Sequence, residues 1–271
     1  MLRTKGEVLT TSFSQPQKSE PIIFVGRDEP QSFKLSEAAL IQTQLISVIL
    51  PVLNEETQIA ATLTALVRES AIEIIVADGG SRDRTTEIAA GFTAVRIVNC
   101  EKANRGLQMN QGALAATGET LLFLHADVTL PPDAVLAIRR VLEDERILGG
   151  CFQIRFPDAV PASLHLVARG INFRTRLFRT ATGDQSIFIR RRTFDEIGGY
   201  RILPLMEDIV LFNAMKQRGR VAVLDGRVEI SPRRWLSRGI WRTVLLMYLL
   251  RLGFWLGIHP ATLKRFFIDV R

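Results

Sequence analysis

The stretch "LLFLHADVTLP" (121–131) sets an imidazole and a carboxylate, His125 and Asp127, two residues apart at the end of an apolar run. Side chains two apart on a strand point to the same side, so both could face one ligand at the strand's carboxyl end. A carboxylate such as Asp127 can hold a divalent cation against a diphosphate. Mg2+ takes only one or two protein carboxylates and draws its other ligands from phosphate and water. An Asp opening the loop after a strand is equally ordinary, so the pair decides nothing alone.

Similar clusters recur. Asn54-Glu55 follows "LISVILPV", and Asp78-Gly79-Gly80 ends "AIEIIVADGG". Asp78 can accept hydrogen bonds from a base edge or a ribose hydroxyl, and two glycines let backbone approach a ligand closely. Ser81 and Asp83 also have the character of helix-entry residues. "LPLMEDIVLFNAMKQRG" places Glu207 and Asp208 at the start of an amphipathic helix, where acidic residues also complement the helix dipole. "EISPRRW" brings two arginines and a tryptophan together. Paired arginines suit phosphate oxygens, and they also suit the basic flank of a membrane-touching helix.

The elements that must position these groups alternate. "LISVILPV", "AIEIIVAD", "AVRIVNC" and "ETLLFLHAD" read as buried strands. Between them, "EETQIAATLTALVRES", "RDRTTEIAAGF" and "NRGLQMNQGALAATG" read as helices, the last stopped by Gly118. Pro131 and Pro132 are expected to begin the next helix. "ATGDQSIFIRRRTFDEIGGY" reads as a strand flanked by polar residues and followed by a helix ending at Gly198-Gly199. This rhythm predicts an α/β fold with a Rossmann-like, mostly parallel central sheet covered on both faces. Ligands of such sheets bind outside the carboxyl ends of the strands, where Asn54-Glu55, Asp78-Gly79-Gly80 and His125-Ala126-Asp127 stand. Three organisational units follow: a polar extension over 1–44, the α/β domain over 45–235, and an apolar helical segment over 236–271.

At 271 residues, 47% of them hydrophobic, the chain can build a sizeable core. The formal net charge of +7 favours anionic partners. No RNA-binding signature accompanies it, which speaks against nucleic acid. Two cysteines without metal-ligand spacing fit a reduced, cytoplasmic setting rather than a disulfide framework. The start, "MLRTKGEVLTTSFS", lacks the apolar core of a secretory signal.

Taken in order, "SVILPVLNEE", "IIVADGGSRDRT", "FLHAD", "GGY…LPLMEDIVL" and "RRW" resemble the family 2 glycosyltransferases, and more narrowly their short single-domain bacterial members. The resemblance covers about residues 45 to 260. It implies a GT-A fold and transfer of a sugar from a nucleotide donor with inversion at the anomeric carbon. UDP-sugars are favoured over GDP-sugars, and the acceptor is left as a hydroxyl of a lipid or a small molecule. Carried over residue by residue, Pro51, Asn54, Glu55, Asp78, Gly79 and Gly80 would line the nucleotide pocket, with Asp78 on the base. Arg105 would stand near the base or diphosphate. Asp127 matches the second acid of the family's Asp-x-Asp metal motif, implying Mg2+ or Mn2+. His125 replaces the first acid, with Ala126 between them; a neutral imidazole there could bond a ribose hydroxyl or favour Mn2+ as a softer ligand. Asp208 matches the acid that serves as general base. Glu207 is expected to orient a neighbour, and Asp184 in "GDQ" is the reserve base. Ser231, Arg234 and Trp235 fall on the Gln-x-x-Arg-Trp motif of larger members, near diphosphate and acceptor. Ser231 in place of the glutamine argues against a processive polymer synthase.

Residues 243–258, "TVLLMYLLRLGFWLGI", are shorter than the roughly 20 residues of a spanning helix and carry Arg251 mid-run. They read as a helix that touches a membrane surface, on the cytoplasmic side, or packs in a core or homodimer. Two rival functions come from other classes. A sugar-phosphate nucleotidyltransferase would carry a Gly-rich loop directly after the first strand, where this chain reads "PVLNEE". A catalytically inactive basic protein that binds membrane or nucleotide would show neither donor hydrolysis nor transfer.

Overall fold

The structure, a computed structural model, describes residues 45–267; the polar extension expected over 1–44 lies outside the described residues. The first strand, β1 (Ile46–Val52), is buried along its whole length. Period-two alternation sends Ile46, Val48, Leu50 and Val52 into one core and Ile49 into a second core on the opposite face of the sheet. Then follow α1 (Ile59–Leu66), β2 (Ile72–Asp78), α2 (Thr85–Ala90), β3 (Val95–Asn99), α3 (Arg105–Ala115) and β4 (Thr120–Phe123). β1 pairs with β2 and β4, and β2 with β3, all parallel.

The second half is mixed. β5 (Val128–Thr129), α4 (Ala134–Val141), β6 (Ile147–Arg155) and α5 (Ala162–Phe178) lead to a 3-10 turn at Gly183–Gln185. β7 (Phe188–Arg190), α6 (Arg191–Ile197), α7 (Glu207–Arg218) and β8 (Arg220–Ile230) complete the sheet, in the order β3-β2-β1-β4-β7-β6-β8-β5. β7 runs antiparallel to both β4 and β6, and β5 antiparallel to β8, whereas β6 and β8 are parallel. Four of the seven pairings among the described residues are thus parallel. Last come α8 (Arg233–Arg238), α9 (Ile240–Trp255) and α10 (Pro260–Lys264). A third apolar cluster pins Leu250, Leu263 and Phe267 of this end against Leu205, Met206 and Ile209 at the start of α7. No described helix is long and apolar enough to cross a membrane.

One imino acid opens the cleft. The β1–β4 register runs to Ile49 and Phe123, and the Leu124 N–H still donates to the Ile49 carbonyl. Residue 51 is the next on β1 to face that side, and as a proline it has no N–H to give. A proline inside a central strand is tolerated only where its ladder has already ended. β4 leaves the sheet there, at His125, and the gap between the two strand ends becomes the floor of a crevice.

Two local expectations are corrected. Gly118 does not cap α3, whose helical backbone ends at Ala115 with Ala116 already extended. A Cβ on Gly118 would lie 2.5 Å from the Leu45 carbonyl oxygen and 2.9 Å from the Ser47 nitrogen. The glycine is there because the chain presses on β1. Pro131 and Pro132 precede α4 rather than begin it, because Asp133 sits at the N-cap in the left-handed region with φ 63°.

Since the neighbours of Gly118 are backbone atoms that cannot rotate away, Gly118→Ala should destabilise the protein by about 1–3 kcal/mol. Urea unfolding measures this, and a loss below about 0.5 kcal/mol would mean the loop yields freely.

Candidate active site

The crevice is polar on the side of β1 and β4. Pro51 and Leu53 form its floor, and Glu55, Arg105, His125, Asp127, Asp184 and Arg234 face it. Arg105 reaches the cleft because Asn104 caps α3: its side chain accepts from the Leu107 N–H, and Arg105 begins the helix. Gln108, one turn on, closes the gap between the first two strand ends by donating to the carbonyls of Val52 and Ala77, each at 2.8 Å. Arg233 comes within 3.6 Å of Glu55, tying the last strand's exit to the first strand's loop.

Past Asp184 and Arg234 the cleft continues into a second chamber with Glu207, Asp208, Leu205 and Met247 on its walls. The 3-10 turn stands between the two. Thr182 and Gln185 cap each other across it, and Gln185 also donates to the Phe152 carbonyl and the Thr175 hydroxyl. So anchored, the turn aims the Gly183 N–H at Asp208 Oδ2, 2.6 Å away. A Cβ on Gly183 would overlap His125 Nε2, so imidazole, turn and carboxylate pack as one unit. Burial, then Arg105, lowers the pKa of His125 against the pull of Asp184, Asp127 and Asp208, so the ring is neutral at pH 7. Burial would raise Asp184, yet Arg234, His125, Arg105 and Arg251 hold it below the usual carboxylate range. Glu207 behaves oppositely: burial, then the neighbouring Asp208, pushes it up to about 7.

Several expected residues lie elsewhere. Both carboxylate oxygens of Asp78 are taken by its own loop, through the N–H groups of Gly80 and Ser81 and the Ser81 hydroxyl. Asn54, at φ 54°, binds the Arg82 N–H and so pins the first strand's loop to the second's. Asn54, Asp78, Gly79 and Gly80 thus shape the loops at the cleft's edge, beside the residues that line it. The Ala126 carbonyl accepts the Thr62 hydroxyl at 2.5 Å, fixing the backbone between His125 and Asp127. Trp235 is buried edge-on against Phe156 and faces a third, apolar chamber. The sequence reading did not single out Gln108, Gly183 or Arg233 as site residues. Of these, only the "GDQ" and "RRW" blocks carried a signal.

The described residues contain no group of three or more His, Cys, Asp and Glu side chains able to hold a metal ion. The donor set instead suits a cation shared with a ligand. The side chain of Asp127 makes no hydrogen bond or ion pair to the described residues and lines the cleft beside a neutral imidazole. One free carboxylate next to arginines that face phosphate-sized space is what a cation carried on a diphosphate requires.

The sequence model of glycosyl transferase family 2 matches residues 47–203. A "PGL/p-HBAD biosynthesis glycosyltransferase" of Mycobacterium tuberculosis is 31% identical over 173 residues, covering 58% of this chain and 64% of that protein. The "Probable glycosyltransferase YdaM" of Bacillus subtilis is 28% identical over 194 residues, 61% of this chain and 45% of that protein. The chain thus spans less than two thirds of the length of these relatives. Among solved structures, a mannosyltransferase of Pyrobaculum calidifontis in complex with GDP-Man and Mn2+ superposes with a TM-score of 0.58 at 18% identity, over 76% of this chain and 62% of that one. Glucosyl-3-phosphoglycerate synthase of M. tuberculosis, in complex with Mn2+, UDP and glucosyl-3-phosphoglycerate, gives 0.55 at 20% identity, over 86% of this chain and 88% of that one. The fold is the GT-A fold.

Because the folded protein holds the Glu207 proton more tightly than the unfolded chain, whose value is 4.5, this residue's contribution is fully favourable below pH 4.5. Stability should fall as pH rises from there to about 7, by roughly 3 kcal/mol at most. Thermal melts of Glu207→Gln should lose that falling limb; identical pH profiles for the two proteins would refute it.

Proposed function

The chain belongs to glycosyl transferase family 2, and on that premise we propose that it moves a sugar from a nucleoside diphosphate sugar to an acceptor hydroxyl, with inversion, using Asp208 as general base. One observation carries the reading. The polar cleft at the ends of β1 and β4 runs past Asp184 and Arg234 straight into the chamber that holds Asp208. A donor lying in the cleft would therefore present its anomeric carbon to an acceptor entering from the other side.

Each part of the path has a task. The nucleotide lies over Pro51 and Leu53, beside Glu55 and Gln108. The diphosphate lies toward Arg234 and Arg105, whose fixed charge compensates the charge that grows on the leaving group. Asp127, with His125 beside it, would hold a divalent cation, and the chemistry such a cation supplies is further neutralisation of that diphosphate. The Mn2+ of the two structural neighbours and the imidazole in place of an acid support Mn2+ ahead of Mg2+. UDP-sugars are proposed ahead of GDP-sugars, since the neighbour matching most of this chain and most of its own length holds UDP.

Asp208 takes the acceptor's proton. The Gly183 N–H holds one of its oxygens and the Ile209 N–H the other, and each oxygen keeps a lone pair for the hydroxyl. Glu207, at about 7, is protonated about half the time at neutral pH and keeps a second full negative charge away from the nucleophile. Two free, buried cysteines support a cytoplasmic location. The exposed Trp241, Leu245, Leu249 and Trp255 of α9 support peripheral contact with the inner membrane face, homodimerisation being the alternative.

Nucleotide release from a panel of UDP- and GDP-sugars with Mn2+ tests the assignment. Asp208→Asn should lower turnover by roughly 10²–10⁴-fold with little change in donor affinity, and Glu207→Gln should do less. Near-normal turnover in the first variant and collapse in Asp184→Asn would move the base to Asp184. Calorimetry of Asp127→Ala should show loss of the Mn2+-dependent part of UDP binding; an undiminished metal effect would remove Asp127 from that role.

A further inference from the structure

Between α5 and α9 lies a cavity of about 230 Å³ that opens on the reacting centre, sharing Thr182, Asp184, Met247 and Arg251 with the Asp208 chamber. Its wall is largely hydrocarbon, from Leu166, Val167, Ile171, Trp241 and Val244. Gly170 stands in the middle of α5 and also borders it, and a Cβ built there would meet nothing within 4 Å. Glycine weakens a helix interior, so α5 gives up helix propensity at a position that borders the cavity.

Two guanidinium groups stand in this wall beside Asp184 and Arg234. Arg174 Nε and Arg251 Nη2 are buried and have no hydrogen-bond partner. Neither residue forms an ion pair among the described residues. The nearby carboxylates are occupied, Asp184 facing Arg234 and Asp208 holding the Gly183 N–H. Burial, then the charge of Arg251, lowers Arg174 to about 10. Like charges brought together in a largely apolar wall with hydrogen bonds left unmade are costly, and an arriving anion that accepts those bonds would remove that cost. Of its lining residues Leu166, Trp241 and Tyr248 are exposed, so hydrocarbon surface continues outward from it.

We propose that this cavity is the acceptor subsite and takes an anionic amphiphile. Its apolar chain lies between α5 and α9, its phosphate or carboxylate oxygens on Arg174 and Arg251, and its hydroxyl toward Asp208. The word acceptor rests on the glycosyltransferase reading; the binding of the amphiphile does not.

Calorimetry of the full chain with dodecyl phosphate below its micellar concentration tests it, with dodecyl maltoside and inorganic phosphate as comparators. Dodecyl phosphate should bind at least roughly tenfold more tightly than either, since charge-assisted hydrogen bonds carry the difference. Arg174→Gln should erase the preference over the neutral amphiphile. Gly170→Leu should weaken the binding of both amphiphiles by filling the cavity from a helix it does not harm. Retained binding of UDP with Mn2+ in both variants shows that they are folded. Equal affinity for charged and neutral amphiphiles, a preference that survives loss of both arginines, or inorganic phosphate binding as tightly as dodecyl phosphate would overturn the proposal. Failure of the wild type to bind any nucleotide would count against the donor reading alone.

Discussion

A hydrogen bond from the Gly183 N–H to Asp208 Oδ2 ties the 3-10 turn to the first turn of α7. On the donor side of that bond, the 3-10 turn is held to β6 through the Phe152 carbonyl and to α5 through Thr175. On the other side, Asp208 lies in the first turn of α7, which is clamped to the C-terminal helices by the cluster around Leu205, Met206, Leu250 and Phe267. His125 fills the space a side chain at 183 would need. The polar cleft and Asp208 thus cannot be adjusted independently. Moving the imidazole moves the turn, and moving the turn releases the carboxylate. Placement of this kind, fixed by packing before any ligand arrives, is what lets charge stabilisation act without reorganisation.

Charge around this bond is sorted by partner. Asp184 stays ionised among Arg234, His125, Arg105 and Arg251, whereas Glu207 has a carboxylate for its neighbour and titrates near 7. These two acids therefore carry different charge at the same pH. Environments that push neighbouring acids apart in this way separate their chemical roles.

The strand ends were legible in the sequence because a strand buried on both faces leaves an unbroken β-branched run, and the crevice of an α/β sheet forms where such runs stop. That reasoning found His125, Asp127, Glu55 and Pro51, while the motif order found Arg105, Asp208 and Arg234. Asp78 shows its limit. An aspartate before two glycines can serve a ligand or turn back on its own N–H groups, and only coordinates distinguish these. Gln108 lies on an amphipathic helix where glutamine looks like solvated surface, yet it plugs the space between two strand ends. Arg174 and Arg251 interrupt apolar helices and read as side chains that snorkel outward; the direction they take instead depends on how α5 and α9 pack. Gly118 resembles a helix stop because close approach of two backbones and a left-handed cap both ask for the same residue.

The pairing of β6 with β8 across an inserted β7 has a consequence for the order of assembly. The floor of the cleft lies between β1 and β4, whose pairing joins Ile46 to Thr120, and the second half of the sheet closes when Ile147–Arg155 meets Arg220–Ile230. The two closures span about the same length of chain, so the entropy lost before contacts compensate is alike for both. The first pairing needs only the chain as far as Phe123 and the second awaits Ile230, so Asp208, Arg234 and Arg251 take their places after the strands of the cleft floor have been made.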